Sequence, residues 1–378
     1  MTTKQFLREY WQKKPLLVRH AIPDFTGLLD PDTLAGMACE QEVQSRLVRC
    51  VRGKWLVEQG PFEESRFSSL PGRNWTLLVQ SVNHHLAEAS QLLQRFNFIP
   101  HARLDDLMVS YAPDGGGVGP HFDSYDVFLL QGLGKRKWRI SQQQDLTLIE
   151  GAPLRILKNF VQEKEYELEA GDMLYLPPHV AHWGIAVGDC MTYSIGFRAP
   201  SAQELGEQFL GYMQEHIRLE GRYADLDLAL QRHPGEISED MVRRVSGMLK
   251  KIRWSKQMVA DFLGTYLSEP KQDVVFNAAS RTTQQNFTAK ALMRGLQLDL
   301  GSQALFFQDR FFINGEQHQC SPAIQTYLRK LADHRQWTPV EVSKVLAHAE
   351  LASLVHGWFS VGYLRLGLLV EEGDIDAE

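Results

Sequence analysis

The chain has 378 residues, of which 44% are hydrophobic and 23% charged, as in an ordinary globular protein, and its formal net charge is −6. This length accommodates two or three domains. The acidic balance excludes a general nucleic-acid-binding protein and suits a basic protein partner. The four cysteines form no Cys-x-x-Cys pair, which indicates free thiols in a reducing compartment. Because no apolar run approaches membrane length and the N-terminus lacks a signal-peptide pattern, we expect a cytoplasmic protein.

The N-terminal part of the chain predicts short helices and strands. Residues 4–12 place apolar side chains on one side of a helix, and residues 16–18 form a strand. A short Asp-capped helix over residues 32–39 precedes a hairpin that turns at Arg52-Gly53. The apolar spacing from Trp75 to Phe96 predicts a helix that packs outside a barrel.

A strand from Leu104 to Ala112 leads into a run of three glycines. Side chains alternate along a strand, so Asp106 and Ser110 should share one face, while Asp105 should share the other with Leu107. The glycines at 115–117 permit a close approach to the main chain. A phosphate-binding loop is excluded because neither a Gly-Lys-Ser/Thr motif nor a helix follows.

His121 and Asp123 form a His-x-Asp motif directly after this loop. On a strand both side chains face the same way, and together they supply two ligands of a 2-His-1-carboxylate site for Fe(II). His179 and His182 are the candidates for the third ligand. The motif alone also fits a surface strand with two unrelated polar residues. The surrounding sequence is therefore needed to choose between a metal site and such a strand.

That context is the residue order of a double-stranded β-helix, or jelly roll. An apolar strand, residues 127–130, follows the motif, and the basic cluster Lys135-Arg136-Lys137 comes next. A Gly171-Asp172 turn, a strand over residues 173–176 and a Pro-Pro bend then lead to the two histidines.

The chain changes character after residue 200. Residues 201–269 are rich in helix, and a stripe of Leu205, Phe209 and Met213 predicts either a core or an oligomer interface. Residues 270–378 combine helices with a hairpin at Asn314-Gly315, which predicts a winged-helix-like domain. No basic recognition helix stands out, so we expect no DNA binding. The last eight residues form an acidic tail that we expect to be frayed. The predicted class is α+β, with a jelly-roll domain over residues 1–200.

The segments GGGVGPHFDSYDVFLLQGLGKRKWRI, GDMLYLPPHVAHWGIA and MTYSIGFRAP resemble the JmjC-type ribosomal oxygenases. The resemblance covers most of the chain and is more specific in the barrel than after residue 200. It implies a dioxygenase that needs Fe(II), 2-oxoglutarate and O₂. It further implies hydroxylation of an arginine side chain at its β-carbon in a large-subunit ribosomal protein, protein sixteen, by a homodimer with a helical dimerisation segment and a C-terminal winged helix.

Carried over residue by residue, the resemblance makes His121, Asp123 and His182 the metal ligands and catalytic residues. His182 is preferred to His179 because it lies several residues after the Pro-Pro bend and precedes Trp183-Gly184, as in the family pattern. Arg136 falls where the family places the cation that binds the distal carboxylate of 2-oxoglutarate. Many JmjC enzymes carry lysine there, but a guanidinium binds a carboxylate in bidentate fashion.

Four further residues are candidates for binding the two substrates. Asp106 is placed to pair with the substrate guanidinium, and Tyr125 to stack on it or hydrogen-bond to it. Ser194 is a candidate cosubstrate contact and Ser110 a candidate substrate contact, although each hydroxyl suits either ligand. The alternative for Asp106 is a carboxylate buried in a structural ion pair.

Two other functions compete with arginine hydroxylation. A related oxygenase acting on histidine or methyl-lysine is one, but Asp106 favours a cation over histidine, and no aromatic cluster for a methylated ammonium is evident near Tyr125. A catalytically inactive, cupin-like metal-binding protein is the other. Arg136 argues against it, since a structural metal site needs no cosubstrate anchor.

Overall fold

A nine-stranded antiparallel sheet forms the centre of the N-terminal part in the computed structural model, which describes residues 1–278 and 283–367. The strands pair in the order β1-β8-β6-β9-β5-β4-β2-β3, and β7 pairs with β6. Their bounds are β1 (Leu16–Val18), β2 (Ser45–Val51), β3 (Lys54–Gln59), β4 (Trp75–Val79), β5 (Leu104–Ala112), β6 (Val127–Ser141), β7 (Lys164–Leu168), β8 (Met173–Leu176) and β9 (Ala181–Phe197).

The two longest strands, β6 and β9, join the halves of the jelly roll. They pair with each other from Val127↔Gly196 to Ser141↔Ala181, with register shifts around Leu133. The first part of β6 also pairs with β8, and its second part pairs with β7 instead. Each long strand therefore serves two successive sets of partners, which is how a double-stranded β-helix is built. The predicted fold class is confirmed.

The sheet buries apolar side chains on both faces. Phe128 and Leu130 belong to a core that also receives Phe6, whereas their neighbours Val127 and Leu129 pack with Trp138 on the opposite side. Each such side chain contributes roughly 1.5–3 kcal/mol on burial. The helices of this part are α1 (Thr3–Glu9), α2 (Pro31–Met37), α3 (Glu64–Ser68) and α4 (Ala87–Gln94).

The helix predicted from Trp75 to Phe96 is wrong over its first half. Residues 75–79 form strand β4, which pairs with β2 and β5, and only residues 87–94 form an α-helix. Leu77 and Leu78 are both buried because the strand has apolar neighbours on both faces. A strand buried on both faces shows no alternation, so its apolar run also fits helical spacing.

The structure divides into two compact units. One contains Met1–Ala199, Pro270–Ser302 and His334–Glu378, and the other contains Pro200–Glu269 and Gln303–Asp333. The division at residues 200 and 269 stays a prediction, and the acidic tail lies outside the described residues. The remaining elements are α5 (Ala202–His216), α6 (Glu239–Leu249), α7 (Lys256–Ser268), α8 (Gln284–Arg294), α9 (Pro322–His334), α10 (Pro339–Leu346), α11 (Ala349–Ser360), β10 (Leu296–Leu298), β11 (Ala304–Phe307), β12 (Arg310–Ile313), β13 (Glu316–Gln319), β14 (Gln336–Trp337) and β15 (Leu364–Leu366).

The predicted hairpin at Asn314-Gly315 joins β12 to β13. Both residues have positive φ, 49° and 84°, as a type I′ turn requires. Strands β10, β14 and β15 form a separate three-stranded sheet. Across residues 1–278 and 283–367, no helix combines the length and apolar character that crossing a membrane requires.

Candidate active site

The side chains of His121, Asp123 and His182 converge at one end of the jelly roll. One potential ligand atom from each residue lies within 4.8 Å of the others, so a single ion is within reach of all three. His182 is buried on β9, and its Nε2 lies 3.6 Å from Oδ2 of Asp123. Two imidazoles and one carboxylate are the donor set of a facial Fe(II) site.

Backbone carbonyls orient both imidazoles. Nδ1 of His121 lies 2.9 Å from the carbonyl oxygen of Gly119, and Nδ1 of His182 lies 2.9 Å from that of Val180. If each Nδ1–H donates to its carbonyl, each Nε2 carries the lone pair that a metal needs. Burial, together with the neighbouring His121, lowers the pKa of His182 to about 4, although Asp123 opposes this shift. The imidazole of His182 is therefore neutral at pH 7.

The His-x-Asp segment is not the regular strand that the motif predicts. His121 forms one isolated bridge, in which its N–H donates to the carbonyl of His182 at 2.9 Å and its carbonyl accepts from the N–H of His182 at 2.7 Å. The carbonyl of Asp123 accepts a hydrogen bond from the N–H of His179. His179 has an exposed side chain and lies outside the triad, so the structure brings His182, not His179, to the candidate centre.

The glycine run packs against the protein's own main chain. A Cβ atom at Gly116 would lie 2.1 Å from the carbonyl oxygen of Trp75, and one at Gly117 would lie 2.3 Å from that of Gly184. Larger residues would push the loop away from β4 and β9, which hold it beside His121. The close approach expected at these glycines is therefore made by neighbouring strands.

Arg136 lies buried within the same end of the jelly roll. Its Nη1 donates to Oγ of Ser110 at 3.2 Å, while Nε and Nη2 are buried without a hydrogen-bond partner among the described residues. The guanidinium also lies 5.7 Å from the ring centroid of Trp138. A buried cation with two unpaired donors is destabilising unless an anion neutralises its charge and accepts hydrogen bonds from these donors. The residues present therefore fit the carboxylate end of a cosubstrate.

A cavity of about 790 Å³ connects Arg136 with the three candidate ligands. Such a volume lies in the usual range for small-molecule sites and leaves room for a second ligand. Thr76 adds a buried hydroxyl without a hydrogen-bond partner in the described chain, and Ser194 lines the same cavity. Ser110 lies beside Arg136, which places it at the anion-binding end. Residues 148–149 and 152–156 of the β6–β7 connection add a mainly apolar part of the lining.

Asp106 lines this cavity, as expected for a substrate contact, and also takes part in a structural ion pair. Oδ2 of Asp106 accepts hydrogen bonds from Nε2 of Gln80 at 2.8 Å and from the N–H and hydroxyl of Ser81, each at 3.0 Å. Nζ of Lys271 lies 3.2 Å from the same oxygen. The two interpretations of Asp106 are therefore compatible.

Tyr125 lines the same cavity as the candidate ligands and the acidic residues. Burial raises the pKa of its phenol, and the charges of Asp123, Asp106 and Asp105 raise it further. The phenol therefore stays protonated at neutral pH and offers a hydrogen-bond donor. The role of Tyr125 beside a substrate side chain stays a prediction.

Several lining residues were not identified from the sequence. Trp138 was a detectable one, since it lies two residues after Arg136 and shares its face of β6. Its ring centroid lies 5.8 Å from that of His182. No local signal marks others that reach the cavity from distant strands and loops, among them Arg46, Thr76, Gln80, Asp105 and residues 148–149 and 152–156.

The comparisons with known proteins cover both parts of the chain. A family model described as "JmjC domain" matches residues 91–205, and one described as "ROXA-like winged helix" matches residues 251–365. The Escherichia coli "Ribosomal protein uL16 3-hydroxylase" is 35% identical over 316 residues, 82% of this chain and 84% of that protein. The "Probable ribosomal oxygenase" of Haemophilus influenzae is 36% identical over 258 residues, 66% of this chain and 63% of that protein.

A solved structure agrees over nearly the whole chain. The Escherichia coli ribosomal oxygenase YcfD in complex with cobalt and 2-oxoglutarate matches with a TM-score of 0.83 at 32% identity, covering 97% of this chain and 98% of that chain. Fold and site thus define the class of JmjC-type oxygenases. Within this class, the chain belongs to the family of bacterial ribosomal oxygenases that includes the Escherichia coli enzyme.

Proposed function

We propose that this protein is an Fe(II)- and 2-oxoglutarate-dependent oxygenase that hydroxylates the β-carbon of an arginine in ribosomal protein uL16. The observation that carries the proposal is that Arg136, with two unpaired donors, shares one cavity with the triad of His121, Asp123 and His182. A structural metal site has no use for such a cation. The family relationship supplies the reaction and the substrate.

His121, Asp123 and His182 are the residues that would hold Fe(II). Bound together, Fe(II), 2-oxoglutarate and O₂ supply the chemistry that turns a C–H bond into C–OH, with succinate and CO₂ as the other products. The carbonyls of Gly119 and Val180 keep both imidazoles turned toward the ion. The neutral state of His182 favours binding, because a metal competes with a proton for the imidazole lone pair.

Arg136 is the proposed anchor for the distal carboxylate of 2-oxoglutarate. Its planar guanidinium presents unpaired N–H groups, and Ser110 holds Nη1 in place. The hydroxyls of Thr76 and Ser194 line the same cavity as further polar contacts. Burial of Arg136 strengthens the pair by excluding water.

The substrate arginine enters past Tyr125, and Asp106 orients its guanidinium through the oxygen that faces the cavity. A guanidinium needs a planar acceptor arrangement, which carboxylates provide. Methyl-lysine is disfavoured because the aromatic residues among the described cavity lining are Phe122, Tyr125 and Trp138. Trp138 already packs on His182 and Arg136, so these rings do not form a cage. The acidic wall likewise disfavours a neutral histidine.

We also propose that the protein acts in the cytoplasm as a homodimer. The stripe of Leu205, Phe209 and Met213 is mainly internal, since Met213 is buried and Phe209 packs on Phe262. The support for a dimer comes instead from Leu210 on α5, which is 68% exposed, and from other exposed apolar residues of this unit. Light scattering at micromolar concentration tests this: a dimer mass is expected, and a monomer contradicts the proposal.

Mass spectrometry tests the reaction. Peptides that cover each arginine of uL16 are incubated with purified enzyme, Fe(II) and 2-oxoglutarate, and intact uL16 is compared between cells with and without the gene. We expect one added oxygen atom on the β-carbon of one arginine, and none with enzyme that lacks 2-oxoglutarate. Oxygen on a histidine, or loss of a methyl group from a lysine, would assign one of the competing activities.

A further inference from the structure

Two consecutive residues of β5, Asp105 and Asp106, both line the cavity. Consecutive residues of a regular strand point to opposite faces. Here β5 contains a bulge: Leu104 pairs with Phe197 and Leu107 with Ile195, so Asp105 and Asp106 together oppose the single residue Gly196. Bulges redirect side chains and are frequent beside active sites. The prediction that Asp105 lies on the opposite face is therefore wrong, since both carboxylates line the cavity.

Lys271 binds one oxygen of each carboxylate. Its Nζ lies 3.1 Å from Oδ1 of Asp105 and 3.2 Å from Oδ2 of Asp106, and it donates to Oγ of Ser81 at 3.3 Å. Although burial alone would lower its pKa, the charges of Asp106 and Asp105 raise the pKa of Lys271 overall. The ammonium is therefore a permanent partner that fixes both carboxylates.

The second oxygen of each carboxylate stays free for a ligand. Within the described chain, Oδ2 of Asp105 and Oδ1 of Asp106 accept no hydrogen bond, since the contacts of Asp105 go to Oδ1 and those of Asp106 go to Oδ2. Asp105 has 37% of its side chain exposed, against 4% for Asp106, and is therefore the more accessible of the two. A guanidinium carries several N–H donors and suits two neighbouring acceptors.

Gly196 opposes the bulge without presenting a side chain to it. A Cβ atom there would lie 3.7 Å from Oδ1 of Asp106 and 3.9 Å from Cε2 of Tyr125. A larger side chain would occupy the space between these two groups. The missing side chain thus keeps the carboxylate accessible from the cavity.

Cations other than Lys271 also lie near the two carboxylates. Asp105, Asp106 and Lys271 by themselves carry one net negative charge. Two arginines lie near: Nε of Arg198 is 3.9 Å from Oδ1 of Asp105, and Nη2 of Arg46 contacts the sulfur of Met108 at 3.9 Å.

We propose that Asp105 is a second substrate-binding residue, that it shares the target guanidinium with Asp106, and that Lys271 is the positioning residue for both carboxylates. This inference deepens the proposed function and rests on it. The structural basis is the bulge in β5, which brings both carboxylates to one wall, and the single ammonium that leaves one oxygen of each unoccupied. Arginine selectivity then comes from two carboxylates instead of one.

Asp105→Asn tests the substrate contact, with Glu165→Gln as its matched control. Glu165 lies on β7 outside the cavity, is 34% exposed and pairs with Arg139 at 2.9 Å, so it resembles Asp105 in exposure and partners. We expect Asp105→Asn to raise the KM for the arginine peptide about 10- to 150-fold, the loss for one charged hydrogen bond, with a much smaller fall in kcat. Glu165→Gln should leave both constants at their wild-type values.

Peptide binding to the metal-free protein gives a readout that does not depend on turnover. Asp105→Asn should lower the affinity for the arginine peptide but should not change the affinity for a peptide with glutamine at the target position. If wild-type enzyme hydroxylates the arginine peptide and Asp105→Asn binds it with unchanged affinity, the inference fails while the proposed function stands. If wild-type enzyme leaves every arginine peptide unmodified, the proposed function fails, and the inference with it.

Lys271→Met and Lys271→Arg test the positioning role. Methionine removes the charge and should raise the peptide KM more than it lowers kcat, whereas arginine keeps the charge and should restore most of the affinity. Lys135→Met is the matched control. Nζ of Lys135 lies 2.6 Å from a carboxylate oxygen of Glu169, and Lys135 does not line the cavity. Equal losses of kcat and melting temperature in both Lys271 variants, with an unchanged peptide KM, would show that Lys271 is only structural.

Discussion

Nε2 of His182 lies 3.6 Å from Oδ2 of Asp123, which is too far for a hydrogen bond between the two atoms. The separation is close to the roughly 3.0–3.4 Å expected for neighbouring ligands about 2.1 Å from one ion. Reciprocal backbone hydrogen bonds between His121 and His182 hold the third ligand alongside. Main-chain hydrogen bonds thus preorganise the three side chains close to the arrangement that metal binding requires.

His182→Ala should abolish metal-dependent 2-oxoglutarate turnover, and Asp123→Ala should behave alike, because a three-ligand site has no spare donor. His179→Ala is the matched control, since this histidine is exposed and lies outside the triad. Calorimetric titration with Co(II) gives the binding constant, and succinate release gives the turnover. Full activity of His182→Ala, or loss of metal binding in His179→Ala, would contradict the ligand assignment.

Arg136→Ala should raise the KM for 2-oxoglutarate about 10- to 150-fold, because a buried charge-assisted pair is lost. Arg136→Lys should recover part of this loss, since an ammonium keeps the charge but not the planar fork. Arg139→Ala serves as control, as Arg139 lies on the same strand but pairs with Glu165. A KM for 2-oxoglutarate that does not change in Arg136→Ala would place the anchor elsewhere.

Gly196→Val should raise the peptide KM by filling the space between Asp106 and Tyr125, while Gly196→Ala should have a smaller effect because its Cβ meets only ordinary contacts. Gly36→Ala is the control, since a Cβ there has no neighbour within 4 Å. Steady-state kinetics with the arginine peptide measure the effect. A peptide KM that is insensitive to the size of residue 196 would show that the substrate does not use this space.

His84 should make the protein less stable as the pH falls from 6.5 toward 4. Burial and then the charge of Lys271 lower its pKa from 6.5 to about 4, so the unfolded chain binds a proton in this window that the folded chain does not. Stability is therefore fully present above the unfolded pKa and falls as the pH decreases, by on the order of 2–3 kcal/mol. Urea midpoints measured between pH 4 and 7 should fall less steeply for His84→Gln than for the wild type. An equal pH slope would show that His84 titrates normally.

Local patterns predicted the parts of the molecule that depend on neighbours in sequence. The hairpin at Asn314-Gly315 follows from two residues that tolerate positive φ, and the short strands at residues 16–18 and 47–57 follow from local apolar runs. The helix predicted from Trp75 was wrong because a strand buried on both faces shows no alternation of apolar and polar residues. Its identity comes from pairing with β2 and β5, which are distant along the chain.

The site divides in the same way. The sequence by itself determined the His-x-Asp pair, the basic residue at Arg136 and the family, because motif spacing and residue chemistry carry this information locally. The preference for His182 over His179 also came from the sequence, through the family pattern, and the structure agrees with it. Only the tertiary structure left Arg136 with two unpaired donors and brought Asp105 to the cavity. These features depend on strand register, on a bulge and on a lysine far along the chain, and non-local pairing is what sets them.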